Sequence, residues 1–182
     1  MDNLAVANGL TLCSYSRKAL PGGDSAVQRA AAYARSLPGV ARAVILLSPD
    51  EPAPEGFEPV RLGSKSAVEL LDRMAALAEG CGQIFYFFAD CPLLDAGLSG
   101  RMLANHRRYF AEYTFADGYP QGLAPEIIQP ELLPALRKLA QDSPEVGAEA
   151  RDALFELIKK DINAFDLETE LAPADLRLLR LS

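Results

Sequence analysis

The residues most able to bind a ligand or a metal are the acids that follow a run of aromatic residues at 85–88. Asp90 follows this run, and Pro92 and Asp95 come soon after it. A short apolar run between chain breakers predicts a strand buried on both faces, as in parallel sheets. Ligands of such sheets bind at the carboxyl ends of the strands, where Asp90 could hold Mg²⁺ through its oxygens. Asp90 could equally be a turn residue, and Asp95 is expected to cap the next helix.

The elements that must position Asp90 alternate along the chain between strands and helices. Strands are predicted at 4–7, 40–47, 59–62, 85–88, 112–115 and 164–167. Helices are predicted from a cap at Asp24 or Ser25 to residue 37, from Ser64 or Ser66 to residue 79, and at 95–109, 130–140 and 144–160, with a terminal helix from Pro173. This alternation predicts an α/β fold, a three-layer αβα sandwich around a mostly parallel, Rossmann-like sheet. At 182 residues the chain is expected to form a single domain.

Composition excludes several classes of function. A formal charge of −7 and a pI near 4.8 argue against nucleic acid and against an anionic membrane surface as partners, because both attract clustered Lys and Arg. One small phosphorylated ligand stays compatible with this charge. The three cysteines have neither a disulfide pattern nor zinc-ligand spacing. Without a signal-peptide pattern or a long apolar run, the expected location is cytoplasmic.

Several motifs in this order resemble those of nucleotidyltransferases, the nucleotide-diphospho-sugar transferase type of fold. The segment 90–94, Asp-Cys-Pro-Leu-Leu, resembles the motif that ends their central strand. The segment 63–68, Gly-Ser-Lys-Ser-Ala-Val, looks like the stretch before the nucleotide-contacting helix in cytidylyltransferases of isoprenoid and Kdo synthesis. The segments 166–169 and 173–176 are similar to their closing motif. Molybdenum-cofactor guanylyltransferases belong to the same group.

The resemblance implies a metal-dependent domain that binds an NTP or a sugar nucleotide at the carboxyl ends of the strands. Mg²⁺ or Mn²⁺ would be held by Asp90 and by Asp166 or Glu168, and would orient the triphosphate for in-line attack. The catalytic residues would be Asp90 and Lys65. The resemblance also implies nucleotide-binding residues, namely Asn8, Gly9, Arg17, Lys18 and Ser66. The acceptor would meet the loop formed by Pro120, Gln121 and Gly122.

The loop after the first strand departs from the family pattern. Active members carry Gly-Gly-x-Gly-x-Arg there, so that backbone amides can approach the phosphates. In this chain residues 8–18 retain one glycine, Gly9, and include the bulky Leu10, Leu12 and Tyr15. The alternative function is therefore a catalytically degenerate domain that serves as a binding or docking module. Lys65, Arg17 and Lys18 would then be solvated charges.

A second resemblance concerns the length of the native polypeptide. The loop 119–123, Tyr-Pro-Gln-Gly-Leu, together with the other motifs, also looks like the N-terminal part of spiro-SPASM proteins, a radical-SAM family. The Cys-x₃-Cys-x₂-Cys motif of an iron–sulfur cluster does not occur in the sequence. On this interpretation, further domains of the same polypeptide would be partners of the chain and would carry the radical chemistry.

Overall fold

The computed structural model describes residues 1–179, which contain one sheet of seven strands. The sheet has the order β3-β2-β1-β4-β6-β5-β7, and only β6 runs antiparallel to its neighbours β4 and β5. The predicted mostly parallel sheet is therefore confirmed. The strands are β1 (Asn3–Asn8), β2 (Val40–Leu47), β3 (Glu58–Arg61), β4 (Ile84–Phe88), β5 (Tyr113–Asp117), β6 (Glu126–Ile128) and β7 (Leu167–Leu171).

Five α-helices cover the two faces of this sheet. They are α1 (Ala26–Ser36), α2 (Ala67–Leu77), α3 (Ala96–Arg108), α4 (Leu133–Gln141) and α5 (Ala153–Lys159). Helices α1 and α3 pack on one face, and α2, α4 and α5 pack on the other. Three of the helices begin at the predicted caps, because the side chains of Ser25, Ser66 and Asp95 each accept a hydrogen bond from the first turn.

Strand β4 divides its side chains between the two faces, as the apolar run predicts. Phe85 and Phe87 pack with α1 and α3, whereas Tyr86 and Phe88 pack with α2, α4 and α5. The strand pairs with β1 on one side and β6 on the other. Because β1 also pairs with β2, the chain connections diverge between β1 and β4. This is the topological switch point where open α/β sheets bind ligands, and Asp90 follows β4 there.

The structure departs from the predicted elements in four places. The last strand, predicted at 164–167, is found at Leu167–Leu171, because Ile162–Ala164 forms a 3₁₀ turn instead. Strand β6 was not predicted, because three residues are too short for a periodic pattern. The helix expected from residue 144 begins only at Ala153, and residues 143–152 form a turn-rich segment that we call the bridging loop. The terminal helix expected from Pro173 does not form within 173–179, where Asp175 instead binds Arg177. The rest of that predicted helix, 180–182, lies outside the described residues.

Within residues 1–179 no helix is both long enough and apolar enough to cross a bilayer.

Candidate functional site

Asp90 lies at the carboxyl end of β4 and is bound by an arginine from the bridging loop. Its Oδ2 accepts a hydrogen bond from Arg151 Nη2 at 2.7 Å and another from Thr11 Oγ1 at 3.1 Å. The Asp90 side chain is 14% exposed and that of Arg151 is 24% exposed. A guanidinium this close supplies the positive charge that a metal would otherwise bring to the carboxylate. The negative charge of Asp90 is therefore already balanced by Arg151 of the same chain.

The surroundings of Arg151 hold this ion pair in one geometry. The guanidinium carbon lies 4.9 Å from the centroid of the Phe88 ring, and Nη1 lies 3.3 Å from Cys91 Sγ. Burial raises the pKa of the Cys91 thiol to about 11, although the nearby Arg151 charge opposes this. The thiol is therefore neutral at physiological pH and acts here as a packing group.

The bridging loop also contacts two other predicted site residues. Asn8 Nδ2 donates to the carbonyl of Ala148 at 2.7 Å and to Tyr86 Oη at the same distance. The amide of Ala148 donates to the carbonyl of Lys65 at 2.8 Å. The Lys65 ammonium is half exposed and lies 3.9 Å from the carboxylate of Glu149. The loop thus lies at the carboxyl ends of β1 and β4 and joins them to the start of α2.

Two amides of the segment 63–68, which resembles the stretch before the family's nucleotide-contacting helix, are occupied by a carboxylate of the same chain. Glu69 accepts hydrogen bonds from the amide of Gly63 at 2.6 Å and the amide of Ser64 at 2.7 Å. These bonds, with one from the Ser64 hydroxyl, lower the pKa of Glu69. Ser66 caps α2 and accepts a bond from Val68. The amides of Gly63 and Ser64 thus form an anion-binding site, and the anion that they bind is the Glu69 carboxylate.

The predicted nucleotide-binding residues in the loop after β1 also make contacts within the chain. The amide of Gly9 donates to the carbonyl of Leu46 at 2.8 Å, and a Cβ at Gly9 would lie 2.7 Å from Leu47 Cδ2. The glycine is therefore needed for packing against β2. Arg17 forms an ion pair with Glu51. Lys18 lies over the Tyr15 ring, with its ammonium 4.2 Å from the centroid.

The predicted acceptor loop lines a cavity of about 240 Å³ next to Arg151. Pro120, Gln121 and Gly122 all contribute to its wall, and Gly122 has a φ of +91°, which favours glycine. The amide of Asp95 at the start of α3 donates to the carbonyl of Leu123 at 2.9 Å and holds the loop in place. The structure thus brings the predicted acceptor loop and Arg151, the partner of Asp90, to one cavity.

A partly buried acid on β6, Glu126, lines this cavity. Glu126 Oε2 and the hydroxyl of the neighbouring Tyr113 are both inaccessible to solvent, and neither makes a well-formed hydrogen bond. Burial raises the pKa of Glu126 to about 8; the charge of Asp152 raises it further and the neighbouring Tyr113 hydroxyl opposes the shift. A titratable group with a raised pKa in a cavity is a candidate for a functional role.

Asp166 lies too far from Asp90 to share a metal with it. Asp166 precedes β7, and β7 runs parallel to β5 from Leu167 opposite Tyr113. The carbonyl of Asp166 accepts a bond from Glu112 at the amino edge of the sheet, whereas Asp90 is at the carboxyl edge. Glu168 pairs with Thr114 inside the sheet.

The described donor set does not fit a metal held by the protein. Within residues 1–179 no group of three or more His, Cys, Asp or Glu side chains is arranged to hold a metal ion. Mg²⁺ can also be held by one carboxylate together with substrate phosphates. Oδ2 of Asp90 could take part in such a site only if Arg151 moved away from it.

Sequence reasoning missed the charged residues that pair with the predicted site residues or lie near them. Arg151 is 61 residues from Asp90 and lay within a segment predicted to be helical. Glu126 lay on a strand that was not predicted. Glu69 does carry a signal, since an acid in the first turn of a helix can bond amides that precede it.

Comparison with solved structures identifies the same fold in cytidylyltransferases. A cytidylyltransferase from Leptospira borgpetersenii serovar Hardjo-bovis (strain JB197) is 17% identical and superposes with a TM-score of 0.72, covering 99% of this chain and 79% of that one. A CMP:2-keto-3-deoxy-manno-octonic acid synthetase complexed with CTP is 12% identical, with a TM-score of 0.64 over 94% and 89% of the two chains. The predicted nucleotidyltransferase-like fold is therefore confirmed.

Two further proteins are similar to this chain. A Mycobacterium tuberculosis H37Rv protein solved in complex with manganese is 13% identical, with a TM-score of 0.67 over 97% of this chain and 94% of that one. An uncharacterized protein of Treponema pallidum (strain Nichols) is 45% identical over 69 residues, which are 38% of this chain and 32% of that protein. The match thus spans about a third of that relative. No protein-family profile matches the sequence.

Proposed function

We propose that this chain is a binding module of the nucleotidyltransferase fold that does not catalyse metal-dependent nucleotidyl transfer. The observation that carries the proposal is the ion pair between Arg151 Nη2 and Asp90 Oδ2 at 2.7 Å. In this arrangement the carboxylate is shared between a guanidinium and the Thr11 hydroxyl. Transferring Oδ2 to a metal would require breaking a partly buried pair, which is costly when one partner is left uncompensated. A metal on Oδ1 would lie close to the Arg151 positive charge.

Other groups that would face phosphates support the proposal. The amides of Gly63 and Ser64 are bound by Glu69, and Arg17 is bound by Glu51. A triphosphate would have to displace two carboxylates in addition to opening the Asp90 pair. Each displacement removes charge-assisted hydrogen bonds, which are the stronger ones in proteins. Such a surface favours a ligand other than a triphosphate.

The place for that ligand is the cavity lined by the acceptor loop. It lies beside the ion pair at the carboxyl edge, and it contains polar atoms without partners. In a longer polypeptide the module would present this cavity to a ligand or to a neighbouring domain. The resemblance to the N-terminal part of spiro-SPASM proteins is consistent with that arrangement and stays a proposal.

The second candidate function is metal-dependent binding and transfer of an NTP or sugar nucleotide. It is favoured by the position of Asp90 at the switch point and by the similar structures that hold CTP and manganese. In this case Arg151 would move away, and Asp90 would bind Mg²⁺ or Mn²⁺ together with the phosphates. Lys65, Arg17 and Lys18 would then approach the nucleotide.

Thermal unfolding distinguishes the two candidates. The chain is melted with CTP, GTP, UTP or ATP, each with and without Mn²⁺ or Mg²⁺, and Asp90→Asn is compared with a control in an exposed loop, Asp50→Asn. A ligand of the native state stabilises it by about 2.7 kcal/mol at a hundredfold excess over its dissociation constant. We expect no metal-dependent rise in the melting temperature. A rise that Asp90→Asn abolishes and Asp50→Asn retains would establish the second candidate.

A further inference from the structure

The guanidinium of Arg151 is fixed at the wall of the cavity and uses only part of its hydrogen-bonding capacity there. Its Nη2 donates to Asp90 Oδ2 at 2.7 Å, its Nη1 donates to Cys91 Sγ at 3.3 Å, and its carbon lies 4.9 Å from the centroid of the Phe88 ring. Within residues 1–179 the guanidinium makes these two hydrogen bonds, and it has more N–H groups than two acceptors can use. The side chain is 24% exposed, so a ligand can reach it. A donor held in one geometry is prepared to bind an acceptor oxygen of a ligand.

The charges of the cavity wall favour an uncharged ligand. Asp90 balances the charge of Arg151. Burial raises the pKa of Glu126 to about 8, so this carboxyl keeps its proton at neutral pH. Asp152 is exposed, and water and salt screen its charge. A cation would therefore meet one screened charge, and an anion would compete with Asp90 for Arg151. Either ion would lose part of its hydration on entering, which is costly without an unbalanced counter-charge.

The rest of the wall is largely aromatic, and three of its rings form a row. The ring centroids of Phe115 and Phe155 are 4.7 Å apart, and those of Phe115 and Tyr113 are 6.0 Å apart. Phe115 and Phe155 are partly exposed, so a ligand can pack against them. Aromatic rings at such separations attract each other beyond the burial of their area. An apolar cavity of about 150 Å³ can hold a benzene ring, and this cavity, at about 240 Å³, has room for a ring and one polar group.

We propose that this cavity binds a small uncharged aromatic ligand, whose ring packs on Phe115 and Phe155 and whose acceptor oxygen receives the remaining N–H groups of Arg151. The inference deepens the proposed function, because it names the ligand class of the module, and it rests on that function. Asp90 is then a positioning residue, because it holds the guanidinium that contacts the ligand. A carboxylate of the same shape could reach Arg151 and an amidinium could reach Asp152, and the test separates both from the uncharged ligand.

The test compares three probes that have nearly the same shape and differ in charge. At neutral pH benzamide is uncharged, benzoate is an anion and benzamidinium is a cation. Each probe is titrated into the isotope-labelled full chain, without nucleotide or metal, and followed through the amide signals of residues 119–122 in nuclear magnetic resonance spectra. We expect benzamide to bind at least about threefold more tightly than either ion, because the ions lose hydration without gaining an unbalanced counter-charge. Equal or tighter binding of an ion, or no saturable benzamide binding up to its solubility limit, would overturn the proposal.

Two substitutions locate the binding. Arg151→Met removes the donors and is expected to weaken benzamide binding by at least about fivefold, the loss expected for a hydrogen bond to a charged group. Phe155→Leu keeps the donors, removes one ring of the wall and is expected to weaken benzamide binding by about threefold. It provides the test if Arg151→Met fails to fold. The control is Arg137→Met, at a partly exposed arginine that pairs with an acid outside the cavity wall. Benzamide affinity that stays unchanged in every folded cavity variant would overturn the proposal.

Failure of this inference differs from failure of the proposed function. Metal-dependent nucleotide binding that needs Asp90 would overturn the proposed function, whatever benzamide does. Absence of benzamide binding, with no metal-dependent nucleotide binding, would leave a binding module whose ligand is not an uncharged aromatic molecule.

Discussion

Replacing Glu126 by glutamine should change how the stability of this protein depends on pH. The pKa of Glu126 is raised from 4.5 to about 8 in the folded chain, chiefly by burial. Between these values the folded chain keeps a proton that the unfolded chain has lost. The contribution of this raised pKa is therefore fully present below 4.5 and is lost as the pH rises to about 8. Glutamine stays neutral at every pH and avoids this loss.

The structure sets the size of the effect. Each pH unit within the window lowers the free energy of unfolding by about 1.4 kcal/mol, so the whole window corresponds to on the order of 5 kcal/mol. This is an upper value, because Glu126 is only partly buried and water near the carboxylate reduces the cost of its charge. It is nevertheless a large part of the about 5–15 kcal/mol that stabilises a typical domain.

The assay is urea unfolding of the wild type and Glu126→Gln at several pH values from about 5 to about 8.5, which cover the window. Far-UV circular dichroism serves as the probe, since the chain has no tryptophan. The difference between the two free energies should grow by several kcal/mol in favour of Glu126→Gln as the pH rises. The exposed control Glu131→Gln should give a constant difference. A constant difference for Glu126→Gln as well would refute the reasoning, because it would mean that the buried charge is compensated.

Three other experiments test the Arg151–Asp90 ion pair, the amides bound by Glu69 and the burial of His106. A double-mutant cycle of Arg151→Met and Asp90→Asn should give a coupling energy of about 1 kcal/mol or more in urea unfolding, because the pair is only partly solvated; a value near zero would contradict the described ion pair. Glu69→Ala should free the amide of Gly63, so that inorganic phosphate raises the melting temperature of the variant and not of the wild type at equal ionic strength. Equal responses to phosphate would contradict that assignment. The pKa of His106 is lowered to about 4 by burial, with the Arg107 charge adding to the effect. Its stabilising effect is therefore present above the ordinary value of 6.5 and is lost as the pH falls towards 4. Nuclear magnetic resonance of this single histidine should show a neutral ring down to about pH 5, and a midpoint near the ordinary value would contradict the burial.

The elements that could be predicted are those with a strong local signal. The run at 85–88 and the apolar strand at 40–47 match β4 and β2, because buried strands need continuous apolar residues. Ser25, Ser66 and Asp95 were correctly identified as caps, since these residue types bond the amides of the first turn.

The elements that could not be predicted depend on distant contacts. Residues 144–152 have a proline start and good helix formers, but their backbone groups bond to other parts of the chain. The Ala148 carbonyl accepts from Asn8, and its amide donates to Lys65. These bonds replace the helical pattern with turns, and local propensity cannot anticipate them. Strand β6 likewise exists only because β4 and β5 lie on either side of it.

The candidate site likewise combines features with a local sequence signal and features that depend on distant contacts. The position of Asp90 at the carboxyl end of a central strand followed from the sequence pattern, whereas the acceptor loop at 120–122 was assigned by resemblance and its role stays a prediction. The state of Asp90 did not, because it is set by Arg151 from a segment 61 residues away. Asp166 was assigned to the metal by resemblance, but the direction of β7 places it at the opposite edge of the sheet.

The most direct test of the central claim is an electron paramagnetic resonance titration of Mn²⁺ with CTP and the purified chain. Mn²⁺ bound by the protein and the nucleotide together gives a spectrum distinct from that of Mn²⁺ with CTP alone. Because Arg151 holds Asp90, we expect the spectrum of Mn²⁺ with CTP to stay unchanged when the wild type is added. A protein-bound Mn²⁺ signal that disappears in Asp90→Asn and persists in the control Asp50→Asn would contradict the account. It would establish Asp90 as the metal ligand of a working nucleotide site.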